Sequence, residues 1–416
     1  METNLKKNTI WNIIGTGINA FASLFFMIIV TRINDVYEAG VFSFAFSAAT
    51  LFNVVGTYAG RIYQVTERKN ISNKEFLVNR LISCFVMCLI AVVFVITRNY
   101  EFNKIVIVLL VCFWKMLEAF CDVIYAFLQK DDELYKVGIT LTLKNIIGLV
   151  VFLVVDLVTK NLITSIISFI VIYAIITVFY DFIQTDIKKQ LRGKVSKRNV
   201  INIFKNGFPT FCVTFLNIYI INASKYAIDS IMTDNYQAIF GIIVMPATMM
   251  ILLAQFMVHP FLNMISNHIE KNDYKSINKF LLKITILLLG IGVIAIVFCY
   301  FIGIYILELV YGIPLMDYKI CLSIILIGAI FSALTSVIIT VLIAMRYTLI
   351  QMIVYIVISV ISYFISNILV LRYGIMGAAI SYSLIMIINC IVFYLIYMII
   401  VKRTKLKNIR ENKCEN

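Results

Sequence analysis

Residues 284–305, ITILLLGIGVIAIVFCYFIGIY, carry no charged side chain. As an α-helix such a stretch crosses the roughly 30 Å hydrocarbon core of a bilayer, and in water it would have no polar face to present. It is the heart of an apolar segment at 281–305, and cutting the chain at its charges leaves eleven more: 10–30, 39–60, 78–97, 104–128, 137–159, 162–182, 208–232, 238–262, 320–344, 350–371 and 375–401. Composition agrees, with 62% hydrophobic and 14% charged residues and a mean hydropathy of +0.97, against about 25% charged in soluble domains. The expected fold is therefore an all-α integral membrane protein of twelve transmembrane helices, with almost no chain left for a soluble domain.

The first apolar stretch follows Lys6 and Lys7 but runs on without a small-residue cleavage site, so it reads as a retained span rather than a signal peptide. Every cysteine except Cys414 falls in an apolar stretch, and no spacing suggests a metal site or a disulfide framework. No cofactor or metal is expected.

Orientation follows from the basic residues. With Arg80, Lys104 and Lys283, at the span edges, counted in the adjoining loops, the segments before the first span, in the even-numbered loops and after the last span hold 27 of the 36 Lys and Arg, the odd-numbered loops hold 6, and Lys115, Lys144 and Lys225 lie within spans. Lys and Arg accumulate on the cytoplasmic side, which places both termini there and requires an even number of spans. The longest polar insertion, between Gln184 and Asn206, contains Lys188, Lys189, Arg192, Lys194, Lys197, Arg198 and Lys205 and divides six spans from six. The expected organisation is a lobe at 1–182, a basic linker at 183–205, a second lobe at 206–401 and a basic tail at 402–416. Beside membrane spans, such basic segments and the net charge of +14 suit anionic lipid headgroups; no nucleic-acid partner is expected. Ala39-Gly40-Val41-Phe42 opening the second span and Ala238-Ile239-Phe240-Gly241 opening the eighth form a faint echo of the repeated halves common in transporters.

Polar residues recur at helical spacing inside several spans. Asn12, Thr16, Asn19 and Ser23 share a face of the first; Ser43, Ser47, Thr50, Thr57 and Arg61 follow the second; Thr248, Gln255 and His259 mark the eighth. The fourth span aligns Lys115, Glu118, Asp122, Tyr125 and Gln129, and the seventh carries Asn222, Lys225 and Asp229. Ionisable side chains in a bilayer cost about 2.5–3.5 kcal/mol each on insertion scales and persist with a partner or water. Lys115 with Glu118 or Asp122, and Lys225 with Asp229, are spaced to neutralise each other across one turn, while Lys144 has no obvious intrahelical partner and is left to a fourth-span carboxylate that could reach it. Pro209, Pro246 and Pro260 fall in spans seven and eight, where lost backbone hydrogen bonds permit kinks. Gly56 and Gly60 form a GxxxG step that implies close helix packing, and Asp131-Asp132-Glu133 reads as a solvated turn.

Asn12-Ile13-Ile14-Gly15, Val30-Thr31-Arg32-Ile33, Ala39-Gly40-Val41-Phe42-Ser43 and Arg61-Ile62-Tyr63-Gln64 resemble the first half of Wzx-type polysaccharide flippases. Lys205-Asn206-Gly207-Phe208-Pro209, Asn222 through Asp229, Phe240-Gly241 with Met245-Pro246, and Ala254-Gln255-Phe256 with Pro260-Phe261-Leu262 are similar to their seventh and eighth helices. The resemblance covers most of the chain. It implies the multidrug/oligosaccharidyl-lipid/polysaccharide exporter fold, two six-helix lobes around a central cavity, in a bacterial cytoplasmic membrane. It implies as cargo an undecaprenyl-diphosphate-linked oligosaccharide, with glycosyltransferases and a polysaccharide polymerase as partners. In that reading Arg61, Lys115, Lys144 and Lys225 serve as cations for the cargo, Asn19, Asn222 and Gln255 as its hydrogen-bonding groups, and Glu118, Asp122 and Asp229 as charge-pairing or coupling groups. Nothing in the residues names a coupling ion, Na⁺ or H⁺. A drug–cation antiporter of the same fold is the nearest rival, and the cationic stripes argue against it. A polysaccharide polymerase or ligase would need a large outer loop, which the chain lacks.

Overall fold

The computed structural model describes residues 2–58, 60–66, 71–192, 194–258 and 261–414; His259 and Pro260 of the eighth-span pattern lie outside the described residues. The described chain is helical throughout, with no strand. Its helices are α1 (Glu2–Ile33), α2 (Val36–Thr57), α3 (Gly60–Thr66), α4 (Asn73–Ile96), α5 (Phe102–Lys130), α6 (Leu134–Thr159), α7 (Leu162–Ile176), α8 (Phe182–Gln184), α9 (Ile187–Gln190), α10 (Lys197–Ile231), α11 (Asp234–Ile243), α12 (Met245–Val258), α13 (Leu262–Glu270), α14 (Tyr274–Phe298), α15 (Ile304–Tyr311), α16 (Lys319–Ala344) and α17 (Thr348–Cys414). A π turn at Thr177–Asp181 joins α7 to α8, and another at Cys299–Gly303 joins α14 to α15.

Ten helical segments among the described residues are long and apolar enough to cross a membrane. α5, at 29 residues, is as long, and its hydropathy is diluted by Lys104, Lys115, Glu118, Asp122 and Lys130. α17 is two helices meeting at Gly374, whose φ of 58° and ψ of −132° break the helix where a side chain would be strained. The protein is thus a multi-pass membrane protein of twelve spans among the described residues. Its polar helix starts follow local rules. Asp35 accepts from the Glu38 N–H at 2.7 Å, Asn161 from the Thr164 N–H at 3.0 Å, and Ser72 and Glu75 form a reciprocal capping box.

The chain separates into two compact units, Met1–Ile218 and Tyr219–Asn416. The division lies inside α10, and the stretch 183–205 is largely helical and bound to the first unit. Glu75, having capped α4, also accepts from the Ser196 N–H at 2.9 Å and the Asn199 amide at 3.0 Å at the start of α10. Tyr58 donates to the Phe204 carbonyl at 3.0 Å and stacks on Phe211. The turn at Asp131-Asp132-Glu133 is engaged rather than simply solvated: the Asp132 carbonyl accepts from the Asn8 amide and Asp131 from the Gln190 amide.

In the first unit α2 is the central helix, buried along most of its length and packed on α4 and α5, while α1 lies along α6 and α6 along α7. Phe26 sits at the middle, its ring edge-on to Trp114, Phe152 and Phe169 at 4.9–5.1 Å. α1 and α6 touch backbone to backbone: a Cβ at Gly138 would collide with the carbonyl of Trp11, and one at Gly15 with the carbonyl of Gly138. Gly138→Ala therefore tests the crossing. Alanine favours a helix by about 1 kcal/mol, yet here the helices must separate, at about 1–3 kcal/mol for overpacking. A lower melting midpoint in detergent is expected; an unchanged or raised one would contradict the contact. The GxxxG reading at Gly56 and Gly60 does not hold. Gly56 packs on Met87 and Ala119, but α2 ends at Thr57, and Gly60, at φ +71°, begins α3 with open space around it.

In the second unit α16 is the buried centre, packed on α12, α14 and α17. Ser383 of α17 enters its backbone ladder, accepting from the Gly328 N–H and donating to the Ile324 carbonyl. Tyr397 donates to Asn278 at 2.6 Å, tying α17 to α14. Ala39 and Ala238, and Phe42 and Phe240, are all buried, so the echoed openings of the second and eighth spans are core positions in their own units.

Candidate functional site

A polar cavity of about 230 Å³ lies inside the first unit. α1 contributes Thr16 and Asn19, α2 contributes Asn53 and Thr57, α3 contributes Arg61, α5 contributes Glu118, Asp122 and Tyr125, and α7 contributes Tyr173. Each is aimed by helical spacing: 16 and 19, 53 and 57, and 118, 122 and 125 lie on single faces of their helices.

Neighbours orient these groups. Asn53 donates to the Lys115 carbonyl at 2.7 Å, and Thr57 donates back to the Asn53 carbonyl at 3.0 Å. Asn19 accepts through Oδ1 from the Asn145 amide at 3.1 Å, which leaves its own amide N–H groups to the cavity. Glu118 meets Lys115 at 2.8 Å, and the Lys115 ammonium lies over the Phe46 and Trp114 rings at 4.5 and 5.0 Å. Asp122 meets Arg80 of α4 at 3.0 Å, and Arg80 also donates to the Gly56 carbonyl. Arg80 is only 4% exposed against 24% for Asp122, so the cation is sunk behind the wall and the carboxylate is turned toward the opening. Both cavity carboxylates are thus neutralised from behind. Among the described residues Arg61 has no carboxylate within ion-pair distance, and the cavity with its backing carries one net positive charge.

Beneath the tyrosine wall lies a second charged group with no exposure at all. Lys144 of α6 meets Asp181 at 2.5 Å, donates to the Tyr125 hydroxyl at 3.0 Å and to the Cys121 sulfur at 3.2 Å, and sits 4.3 Å from the centre of the Tyr173 ring. Asp181 is delivered by the π turn after α7, a local widening of the helix that occurs often at functional sites.

Of the residues singled out in the sequence, Thr16, Asn19, Thr57, Arg61, Glu118, Asp122 and Tyr125 meet in this cavity. Lys115 pairs with Glu118, as its spacing allows, but not with Asp122. Lys144, expected as a cargo cation, is wholly buried and answered by Asp181, not by a fourth-span carboxylate. Asn222, Lys225 and Asp229 are half-buried on α10 in the second unit, and Gln255 is exposed on α12. Arg80, assigned to a loop by its charge, is a buried residue of α4. Sequence reasoning missed it together with Asn53, Asn145, Tyr173 and Asp181.

No protein-family model matches the chain, and no curated protein matches it in sequence. Solved structures match its fold. A multidrug resistance MATE family transporter of the MOP superfamily, in an inward-facing conformation, superposes with a TM-score of 0.71 at 13% identity over 95% of this chain and 99% of that one. A MATE transporter of Vibrio cholerae in a bent form gives 0.60 at 13% identity over 98% and 99%, and a multidrug resistance MATE family transporter of the MOP superfamily in an outward-facing conformation gives 0.57 at 13% over 97% and 96%. The fold is therefore that of the MATE transporters. At such identity the likeness concerns the fold and not the cargo.

Proposed function

We propose that the protein is a flippase that carries undecaprenyl-diphosphate-linked oligosaccharides from the inner to the outer leaflet of a bacterial cytoplasmic membrane by alternating access, for the assembly of a surface polysaccharide. The observation that supports this reading best is the cavity's charge arrangement. Amides, hydroxyls and carboxylates around two tyrosines suit a sugar, and Arg61 adds a fork of donors for phosphate or an acidic sugar. Lys225, with Asn222, is proposed as a further contact for the anionic part. An inside-negative potential favours outward movement of each uncompensated negative charge by about 2.3 kcal/mol per 100 mV. Glycosyltransferases would supply the cargo, and a polymerase would consume it.

A drug–cation antiporter is the second reading. The neighbours of this fold include multidrug transporters, and Glu118, Asp122, Tyr125 and Tyr173 form the acidic and aromatic lining a cation would seek. Lys115 and Arg80 already neutralise those carboxylates, which favours the first reading. Deleting the gene separates the two. Loss of a surface glycan with accumulation of its lipid-linked precursor is expected, whereas normal surface glycan with heightened drug sensitivity would establish the antiporter.

Both termini are proposed to be cytoplasmic, from the distribution of Lys and Arg. An impermeant thiol reagent applied to intact cells is expected to label Asn235→Cys, between α10 and the body of α11, above the native cysteine background. It is expected to miss Asn272→Cys, between α13 and α14. The opposite pattern would invert the topology.

A further inference from the structure

Two groups that line the polar cavity have their hydrogen-bonding sense set by residues that do not line it. Lys144 and Asn145 are neighbours on α6, 0% and 6% exposed, one turn beyond Leu141, which does line the cavity. The Lys144 ammonium is a donor only. At 3.0 Å from the Tyr125 hydroxyl it makes that oxygen the acceptor and turns the phenolic proton away, and among the described residues that proton meets no acceptor. Asn145 acts on Asn19 in the same way. Its Nδ2 lies 2.8 Å from the Leu141 carbonyl, which only accepts, so the nitrogen and not the oxygen of the Asn145 amide must stand there. The same Nδ2 is 3.1 Å from Asn19 Oδ1. Asn19, exposed on α1, therefore has its oxygen engaged and its N–H groups turned to the cavity.

We infer that Lys144 and Asn145 are positioning residues that hold Tyr125 and Asn19 as hydrogen-bond donors toward the cavity, and that this wall, with the Arg61 fork, is a subsite for an oxyanion, a carboxylate or a phosphate. α1, α3 and α5 each supply one of the three donors. Left free, an asparagine turns either end of its amide to a ligand and a tyrosine either donates or accepts; held from behind, both are oriented before binding, which strengthens the binding of the one ligand type they match. A cation finds no acceptor on this wall. Glu118 and Asp122, which could attract one, are already paired with Lys115 and Arg80 and keep lone pairs for the hydroxyls of a sugar. The assignment rests on the flippase reading for the source of the oxyanion, an acidic sugar or the diphosphate, and goes beyond it in naming residues outside the cavity that set its selectivity.

Saturation-transfer NMR on the purified full-length protein tests this, with methyl glucuronide as the anionic probe, methyl glucoside as its neutral counterpart and pyrophosphate as competitor. The glucuronide is expected to bind about tenfold more tightly than the glucoside. Asn145→Leu, which lets Asn19 turn its oxygen to the cavity, should lower glucuronide affinity about tenfold, the worth of one hydrogen bond to a charged group, and leave glucoside binding as it was. A residue needed only for packing would affect both probes alike. The Lys144→Met, Asp181→Leu double variant, which releases the Tyr125 hydroxyl without stranding either buried charge, should repeat the selective loss. Pyrophosphate that displaces the glucuronide assigns the subsite to the diphosphate, and pyrophosphate that leaves it in place assigns it to an acidic sugar; either result supports an oxyanion subsite. Equal affinity for the two glycosides, or a preference that survives in both variants, overturns the inference. The flippase reading is judged separately in cells. Accumulation of lipid-linked glycan in a deletion strain, with equal affinity for the two glycosides, removes the positioning roles only, whereas a preference for the glucuronide with no accumulation removes the flippase reading and keeps the oxyanion subsite.

Discussion

Lys144→Met alone is expected to destabilise the first unit by about 3–5 kcal/mol, and Asp181→Leu alone by a similar amount, because each leaves one buried charge without its partner. The double substitution should recover most of that loss, since a buried ion pair replaced by apolar side chains of similar size is often neutral in stability. The argument rests on a pair with no exposure on either side, 2.5 Å apart, whose ammonium has its remaining donors on the Tyr125 hydroxyl and the Cys121 sulfur. Melting midpoints in detergent for the four proteins form a double-mutant cycle, with a strongly favourable coupling expected. Additive losses, or single variants as stable as the parent, would show that the pair is not coupled. The double variant has a further use. Its fold should survive while the ammonium behind Tyr125 and Tyr173 is gone, so any loss of transport beyond its loss of abundance measures what that buried charge contributes to the cavity wall.

The same pair shows where the sequence stops being readable. The spans are legible because the bilayer admits only long apolar helices, but several helices run past the written limits into polar flanks: α1 begins at Glu2 against 10, α10 at Lys197 against 208 and α14 at Tyr274 against 281, and α17 ends at Cys414 against 401. Lys115 and Glu118 are legible as a pair because three residues separate them on one helix. Lys144 and Asp181 are 37 positions apart on different elements, and Asp181 stands at the written end of the sixth span, where an apolar run gives way to polar residues, so nothing in the sequence marks it as a partner. Arg80 had a local signal. Ser72-x-x-Glu75 is a capping box; it fixes the start of α4 at Asn73 and puts Arg80 two turns inside the helix, where a cation needs a carboxylate. The glycine pattern misled for the converse reason. GxxxG presumes an unbroken helix, and Tyr58 at φ 50° has already ended α2 before Gly60.

Arg61→Ala is expected to lower glycan export about 10- to 100-fold at unchanged protein abundance, the loss of a charged hydrogen-bonding contact of about 1.5–3 kcal/mol. Arg61 belongs to the short helix α3 and lines the cavity, and it differs from the cavity's other charges in having no carboxylate within ion-pair distance among the described residues. Removing it should therefore weaken cargo binding without stranding a buried anion. Asp122→Ala gives the contrast: it leaves Arg80, 4% exposed, without its carboxylate, so abundance should fall together with export. Arg61→Lys keeps the charge but loses the two-pronged donor geometry that matches phosphate or carboxylate, so export should return in part. Lys225→Ala, in the second unit, supplies an independent measure of the anionic contact, and it too should reduce export while the protein accumulates normally. Export by a well-expressed Arg61→Ala protein at the level of the parent would remove Arg61 from the cargo site. The same result for Lys225→Ala as well would leave the cargo without a tested cation for its diphosphate and would shift the balance toward the antiporter.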